Sequence, residues 1–486
     1  MNFIDFYGKL IKEESFKHRD LFMPWYTKKI RKTFTHKGFA VLYHGRAYIF
    51  SLFLLLSSCM LQASSNKNTV GDNKPDVWLT IFVHGIISIK PYTTVTNFVR
   101  FLTDNVSDSP YGTTVAIMRD DPFFFQNQAI QSLGLQPIDL LQHTIGGAAS
   151  LMARLYEKNN AINAATLTKN YYYTYGWSGL LSRQARYKDA KLFINALEHE
   201  VAKFRAQGFN PKIRLIGYSH GGTLILKLAL VKIKEQLTLN FSIDEVFFFG
   251  TPIQYDTDYL ISDPVFKKVY NIFSRSDRVQ RLDFFSSGQF FSDQIVRPHC
   301  NFECLPEKLT QLEIRVIRKR SEKYKPLSSA DECEPLLFDG TRCAKNIRNV
   351  SPGHTELWFF GWTPLNYRKS FPLYPLPIVS FLPFIINSIK PFENCIIPEK
   401  PAVITIDPRR NSMILSTNNY GCKQNKLLPF IGVSTLIALQ NEALQYKPNC
   451  QFFNWNVFNK HIEKAYEKAQ AALKEKYYKQ QAKNPL

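Results

Sequence analysis

Residues 213–222 read Ile213-Arg214-Leu215-Ile216-Gly217-Tyr218-Ser219-His220-Gly221-Gly222, and they join a strand pattern to a helix pattern. Ile213 to Ile216 is a short apolar run that predicts a buried strand, whereas Thr223 to Lys234 has helical spacing. Between them, Gly217-x-Ser219-x-Gly221 is typical of a sharp strand-to-helix turn that exposes a serine hydroxyl above a sheet. The segment therefore predicts Ser219 as a nucleophile. The alternative is a glycine-rich turn that only opens a helix.

The segments around this turn alternate between strand and helix patterns. Predicted strands are Val77–Val83, Thr114–Met118, Asn170–Trp177, Glu245–Phe249, Val269–Phe273 and, as the last one, Leu312–Ile317. Predicted helices are Thr94–Leu102 and Asp189–Gln207, and Pro122–Glu157 favours a helical insertion. Strands that alternate with amphipathic helices predict an α/β fold, with a mostly parallel sheet and helices on both faces.

Two backbone amides are candidates for stabilising negative charge beside Ser219. A serine that attacks a carbonyl group needs hydrogen-bond donors for the developing oxyanion. The amide of His220 follows the serine, and Ile86 follows the predicted strand Val77–Val83 in the loop His84-Gly85-Ile86. We therefore expect His220 and Ile86 to form an oxyanion hole. We expect His84 to shape the loop and not to act as a base.

An acid and a base should follow the serine in the order Ser, acid, His. Asp277 lies in Ser274-Arg275-Ser276-Asp277-Arg278-Val279, directly after a predicted strand, with Asp283 in reserve. His354 ends the loop Ser351-Pro352-Gly353 before an apolar stretch, and His299 is the other candidate base. The alternatives are a solvated loop aspartate and a core or surface histidine.

Four features together resemble the lipase-like branch of the α/β-hydrolase superfamily, over roughly Asp76 to Trp362. They are the turn GYSHGG, the His-Gly loop, Gly250-Thr251-Pro252 after the next strand, and Ser-Asp-Arg-Val before a Gly-His. The resemblance implies a Ser219–His354–Asp277 triad. It also implies an acyl-enzyme and hydrolysis of an ester, thioester or amide without a cofactor. The extra segment between Tyr111 and Lys169 and the long C-terminal extension depart from the family pattern.

The sequence divides into three parts, and the resemblance covers the middle one. Residues 76–362 form the expected hydrolase domain, with an insertion at about 119–169, and residues 363–486 form a Pro- and aromatic-rich extension with a basic C-terminal helix. In residues 1–63, the apolar run Ala47–Leu61 follows the basic stretch Lys28–Arg46, which predicts an export signal. Leu56-Ser57-Ser58-Cys59 resembles a lipobox, and the alternatives are cleavage after Ala63 or an uncleaved anchor. We therefore expect a protein of the cell envelope or a secreted one.

The formal net charge of +21 suits an anionic lipid surface or a nucleic acid. Because no RNA-recognition, zinc-finger or helix-turn-helix signature is present, we expect a membrane surface and no nucleic acid. Trp455–Lys479 predicts a basic amphipathic helix. Phe371–Pro391 is apolar but holds five prolines, which favours an extended segment packed across the core; the alternative is a membrane-touching or substrate-gating surface.

The cysteine pattern favours neither a metal site nor one disulfide connectivity. In an exported protein, the cysteines of the second half could pair, for instance Cys333 with Cys343. His299 with Cys300-x-x-x-Cys304 is at most half a metal site, since no second pair has a matching spacing. We therefore expect no metal, and the resemblance implies that no cofactor is needed. The remaining cysteines of that half are Cys395, Cys422 and Cys450.

These features predict a membrane-associated serine esterase or lipase, with the apolar insertion Pro122–Leu155 as a lid or acyl-chain wall. A thioesterase or peptidase would use the same residues. Two other classes remain as alternatives: an inactive hydrolase fold that serves as an envelope binding protein, and a basic nucleic-acid or lipid-surface binder.

Overall fold

The computed structural model describes residues 74–87, 104, 106, 109–141, 147–163, 168–281, 292–299, 302–319, 347–419, 422–448 and 454–483. All of them belong to one structural unit, Asn73–Leu486. Several sequence predictions lie outside the described residues: the export signal, the helix Thr94–Leu102, Asp283, and the cysteines at positions 59, 300, 333, 343 and 450.

The described strands join in one sheet of eleven strands. They are β1 Asp76–Val83, β2 Gly134–Pro137, β3 Lys169–Gly176, β4 Asn210–Tyr218, β5 Ile243–Phe249, β6 Phe266–Phe273, β7 Leu309–Lys319, β8 Ile347–Val350, β9 Ala402–Asp407, β10 Ser412–Asn419 and β11 Cys422–Pro429. Their order is β11-β10-β9-β7-β6-β5-β4-β1-β3-β2, with β8 paired to β7. The seven strands from β9 to β3 in this order run parallel, whereas β2, β8, β10 and β11 pair antiparallel. The expected α/β class with a mostly parallel sheet is confirmed.

Alternate side chains of the central strands enter two separate cores. Phe82, Ile216 and Phe249 belong to one hydrophobic cluster. Their neighbours Val83, Leu215 and Phe248 belong to the other, as the two-residue period of a strand requires. The first cluster also holds side chains of α2 Ala148–Asn163, α6 Leu382–Ile389, α7 Val433–Gln445 and α8 Trp455–Lys483, and the second holds those of α3 Arg183–Ala206 and α4 His220–Lys234. Helices therefore cover both faces of the sheet.

The predicted strand Thr114–Met118 is wrong, because these residues lie in helix α1, Pro110–Asp120. Ser109 caps this helix: its hydroxyl accepts a hydrogen bond from the amide of Gly112 at 3.1 Å. Pro110 occupies the first turn, where its fixed φ and missing N–H cost nothing. The Ser-Pro start signal therefore outweighs the short β-branched run that favoured a strand.

The expected helical insertion is only partly helical. Pro122–Phe125 forms a 3₁₀ turn, and α2 begins at Ala148. Between them, β2 pairs with β3 at the edge of the sheet. This strand, Gly-Leu-Gln-Pro, has no apolar alternation, so no sequence pattern marks it.

The C-terminal residues continue the sheet, because β9 pairs with β7 and carries β10 and β11. Leu312–Ile317 is therefore a strand, within β7, but is not the last one. Phe371–Pro391 is packed in the core but is not extended: a 3₁₀ turn at Ile378–Phe381 leads into α6, and both are almost fully buried. The predicted C-terminal helix is confirmed as α8. Among the described residues, no helix has the length and apolar character needed to cross a bilayer.

Candidate active site

Ser219 stands between β4 and α4 with a backbone conformation that side-chain-bearing residues rarely adopt. Its φ is 52° and its ψ is −130°. A positive φ in a residue other than glycine costs on the order of 1–3 kcal/mol and persists only when its surroundings enforce it. Here the Ser219 amide donates to the carbonyl of Phe249 at 2.9 Å, and the Ser219 carbonyl accepts from Gly222 at 2.9 Å. The turn is thus fixed at the carboxyl end of the sheet.

Small residues around Ser219 allow the close packing of this turn. A Cβ atom at Gly221 would collide with the carbonyl oxygens of Val83 and His84, and one at Gly222 would collide with the Thr251 side chain. At Gly217 a Cβ atom would lie 2.8 Å from the Cα of Gly222. Without a shift of neighbouring atoms, these positions accept only glycine. Because Gly221 has no side chain, the start of α4 packs directly on the end of β1.

Asp277 and His354 form a hydrogen-bonded pair, although 77 residues separate them. The distance from His354 Nδ1 to Asp277 Oδ2 is 2.7 Å, and the carboxylate is fully buried. Its other oxygen accepts a hydrogen bond from the amide of Gln280 at 3.1 Å. Because an ionised carboxylate only accepts, His354 carries its proton on Nδ1 and leaves Nε2 as the basic atom. This is the arrangement of a general base held by an acid.

The loop that carries His354 is fixed by an ion pair between buried Glu356 and partly exposed Arg368. Glu356, 1% exposed, accepts from the amide of Gly353 at 2.7 Å and from Arg368 Nε at 2.6 Å. Arg368 Nη2 also donates to the Ser351 carbonyl at 2.9 Å. His354 therefore begins helix α5, His354–Trp358, in a defined position.

Gly250 brings the serine turn and the Asp–His pair together. It follows Phe249, whose carbonyl accepts from Ser219, and a Cβ atom on it would lie 2.7 Å from Asp277 Oδ2 and 3.2 Å from His354 Nδ1. Serine, aspartate and histidine thus meet at one edge of the sheet. Among the described residues, the Ser219 hydroxyl forms no hydrogen bond.

Tyr218 links the serine turn to His354 by a second contact. Its hydroxyl donates to the His354 carbonyl at 3.1 Å, and the two ring centroids are 4.6 Å apart. Burial, with the charges of Asp277 and Glu356, raises the pKa of Tyr218 well above its usual value, so the phenol stays protonated and donates. The Tyr218 ring also stacks on Trp358 of α5 at 5.2 Å. Sequence reasoning missed Tyr218 and Glu356; the spacing Gly353-x-x-Glu356 before a short helix was the one available signal for Glu356.

His84 shapes the loop beside the serine through bonds to Trp177. His84 Nε2 accepts from the Trp177 amide at 3.3 Å, and His84 Nδ1 donates to the Gly85 carbonyl at 2.6 Å. Burial, together with the Arg119 charge, lowers the pKa of His84 well below its usual value, so the ring is neutral. A Cβ atom on Gly85 would lie 3.0 Å from Ser219 Cβ, which puts the Gly85-Ile86 segment directly beside the serine.

The two residues expected to supply oxyanion donors adjoin Ser219 differently: His220 follows it in the chain, and Ile86 follows Gly85, which lies beside it. The Ile86 side chain packs on the hydrophobic cluster that holds α4. His220 is the first residue of α4, so its amide is among the helix donors without a partner inside the helix. The His220 side chain accepts at Nδ1 from Arg186 Nη1 at 3.3 Å, a contact that sequence reasoning also missed.

His299 belongs to a different pair. Its Nε2 lies 2.9 Å and 3.1 Å from the two carboxylate oxygens of Asp258, a fully buried residue, and not beside Asp277. Of the described cysteines, Cys304 and Cys395 are free thiols. Within the described ranges, no group of three or more His, Cys, Asp or Glu side chains could hold a metal ion.

Comparison of the chain with models of known protein families, with curated proteins and with solved structures finds no match.

Proposed function

We propose that this protein is a serine hydrolase of the α/β-hydrolase type that cleaves a carboxylic ester through an acyl-enzyme at Ser219. The observation that carries the proposal is the buried Asp277–His354 pair, 2.7 Å apart, at the same edge of the sheet as a serine with positive φ. A turn that only opened a helix would need neither the strained serine nor the histidine–aspartate pair beside it.

The geometry supports two acyl-transfer steps. Ser219 Oγ attacks the ester carbonyl and forms a C–O bond while its proton passes to His354 Nε2; Asp277 stabilises the resulting imidazolium. The amides of His220 and Ile86 bind the oxyanion. The ester C–O bond then breaks, and His354 returns the proton to the leaving alkoxide. A water molecule, activated by His354 in turn, releases the acid and restores Ser219.

Thioesters and amides would react by the same steps, and the apolar flank of the site favours a substrate with an apolar acyl group. Tyr218, Leu357 and Trp358 are buried in one hydrophobic cluster beside His354. We extend the proposal to Pro122–Leu155 as the acyl-chain wall, because Gln126 and Asn127 bind the segment that follows α5. The Gln126 carbonyl accepts from Trp362 Nε1 at 2.8 Å, and Asn127 Nδ2 donates to Thr363 Oγ1 at 2.9 Å.

The end of α8 supports the proposal of a membrane surface as partner. The helix holds seven lysines and three glutamates, and from Gln470 onward its described side chains are almost all exposed. Tyr477 and Tyr478 are 58% and 57% exposed among these lysines. Lysine ammonium groups suit the anionic headgroups of a bilayer, and tyrosine side chains suit the boundary between its headgroups and acyl chains.

Ser219→Ala tests the proposed function. We expect the wild-type protein to hydrolyse p-nitrophenyl butyrate and to be labelled by a fluorophosphonate probe, and we expect the variant to do neither while its melting temperature is retained. Ser262→Ala, which changes an exposed serine, is the matched control and should keep both activities. A wild-type protein that is neither active nor labelled would contradict the proposal and favour an inactive hydrolase fold that binds ligands.

A further inference from the structure

Lys227 is a buried lysine without a counter-ion. It lies in the middle of α4 and is 6% exposed, and among the residues that the structure describes its ammonium group has no hydrogen bond and no ion pair. A buried charge is normally paired, because removing it from water is costly. Burial first, and then the charges of Arg186 and Arg183, lower the pKa of Lys227 to about 7 in spite of the opposing carboxylate of Asp104. The surroundings of Lys227 therefore favour the binding of a negative charge.

Lys227 lies on the same face of α4 as the residue that follows Ser219. His220, Thr223 and Lys227 are spaced three and four residues apart, which aligns side chains on one face of a helix. Thr223 Oγ1 lies 3.4 Å from His220 Nδ1, as this alignment requires. Long side chains of a helix leave it toward its N-terminus, so the stem of Lys227 starts in the direction of the serine turn.

Arg186 supplies a second buried cation at this face. It lies in the first turn of α3, which packs on α4, and is 1% exposed. Arg186 Nη1 donates to His220 Nδ1 at 3.3 Å. Because arginine only donates, His220 accepts at Nδ1 and carries its proton on Nε2. Arg186 and Lys227 thus bring two cationic side chains to this side of α4.

The nearby carboxylates are bound to other partners. Asp104 accepts from the amides of Arg183 at 3.0 Å and Gln184 at 2.8 Å. Asp189 accepts from the Ser178 hydroxyl at 2.6 Å and the Ser178 amide at 3.3 Å, and Asp256 pairs with Arg183. None of them bonds to Lys227.

We propose that Lys227 and Arg186 form an anion subsite beside Ser219, and that the ester substrate carries a carboxylate or phosphate group that binds there. The inference rests on the proposed function, since it names the substrate class of the same site. His220 and Lys227 are seven residues apart in α4, which puts their Cα atoms about 10 Å apart along the helix. Because the lysine side chain starts toward the N-terminus of the helix, the distance from its ammonium group to the serine turn can be shorter than this. An anionic group a few methylene groups from the ester carbonyl would span it.

Two substrates of equal chain length test the subsite. We expect kcat/KM to be higher for p-nitrophenyl hemiglutarate than for the neutral p-nitrophenyl valerate. In Lys227→Met, which keeps the apolar stem and removes the charge, the ratio of the two should fall about tenfold, as expected for loss of one charge-assisted hydrogen bond. Lys234→Met removes the same charge from an exposed position in the last turn of α4 and should leave the ratio unchanged. Because lysine is charged below its pKa, the preference should be largest below pH 7.

Calorimetric titration of Ser219→Ala with glutarate and with inorganic phosphate separates binding from catalysis. Binding that Lys227→Met abolishes in this background supports the subsite, even if no esterase activity is found and the proposed function fails. Stronger binding of phosphate would assign a phosphate-bearing ester, and stronger binding of glutarate a carboxylate-bearing one. An active enzyme whose ratio is the same in wild type, Lys227→Met and Lys234→Met, and which binds neither anion, would overturn the subsite and leave the esterase proposal intact.

Discussion

Gly250→Ala is the substitution that tests the candidate site most directly without touching its reactive groups. The added methyl group would stand 2.7 Å from Asp277 Oδ2 and 3.2 Å from His354 Nδ1, inside the contact distance of both. It would also approach Leu357 Cδ1 at 3.1 Å. The aspartate and the histidine must therefore move relative to Ser219.

Two separate effects of this substitution can be estimated. Gly250 has a φ of 56°, and a side chain in this region costs about 1–2 kcal/mol of stability. A displacement of about 1 Å in a catalytic group lowers turnover by about 10²-fold. We therefore expect Gly250→Ala to lose stability modestly and kcat by about 10²-fold, with KM changed less, because the methyl group acts on the acid and base.

Gly208→Ala is a matched control for the backbone effect. Gly208 has a φ of 84°, and a Cβ atom on it would meet no atom within 4 Å. Gly250→Ala should lose more free energy of unfolding in urea denaturation than Gly208→Ala, because only its methyl group also meets Asp277, His354 and Leu357. Only Gly250→Ala should lose ester hydrolysis. If Gly250→Ala kept kcat within a few-fold of wild type while losing more stability than Gly208→Ala, Asp277 and His354 would not be the acid and base.

Two further predictions concern the base and the membrane surface. His354→Ala should lower kcat by at least about 10³-fold, because Ser219 loses its proton acceptor. His299→Ala should keep kcat but lower the melting temperature, since buried Asp258 loses its partner; the reverse outcome would assign His299 as the base. Charge reversal of three exposed lysines in α8 should weaken co-sedimentation with anionic phospholipid vesicles about 10²-fold at low salt. These lysines are Lys474, Lys476 and Lys479. Phosphatidylcholine vesicles are the control, and unchanged binding of anionic vesicles would exclude α8 as the contact.

The sequence predicted the serine turn well because its determinants are local. An apolar strand, small residues and a helix pattern stand within Ile213–Lys234, and the structure has the strand, turn and helix there. The proximity of Asp277 and His354 followed only from their order along the chain. Their 2.7 Å contact depends on where β6 and β8 end in the sheet, which no local pattern encodes.

Other features could not be predicted because tertiary packing decides them. The strands β9 to β11 follow one another as antiparallel neighbours, an order that the alternation of strands and helices along the rest of the chain does not predict. Lys227 stands in a mostly apolar stretch, Lys227-Leu228-Ala229-Leu230-Val231-Lys232, at a helical position whose exposure the spacing alone does not fix. Its low exposure depends on how α3 packs on α4.

The conformation of Ser219 argues against a glycine turn that only opens a helix. Gly217, Gly221 and Gly222 stand where a Cβ atom would meet backbone or side-chain atoms, and each collision is avoided by the absence of a side chain. Ser219 has a φ of 52°, a conformation that glycine adopts without strain, and still carries a side chain. A turn with no chemical task would gain stability from glycine at this position. The one side chain retained in the strained part of the turn is a hydroxyl, and it stands next to the Gly85-Ile86 loop, a helix N-terminus and a histidine–aspartate pair. Strain that a chain retains at such a point is most simply explained by the reactivity of that hydroxyl.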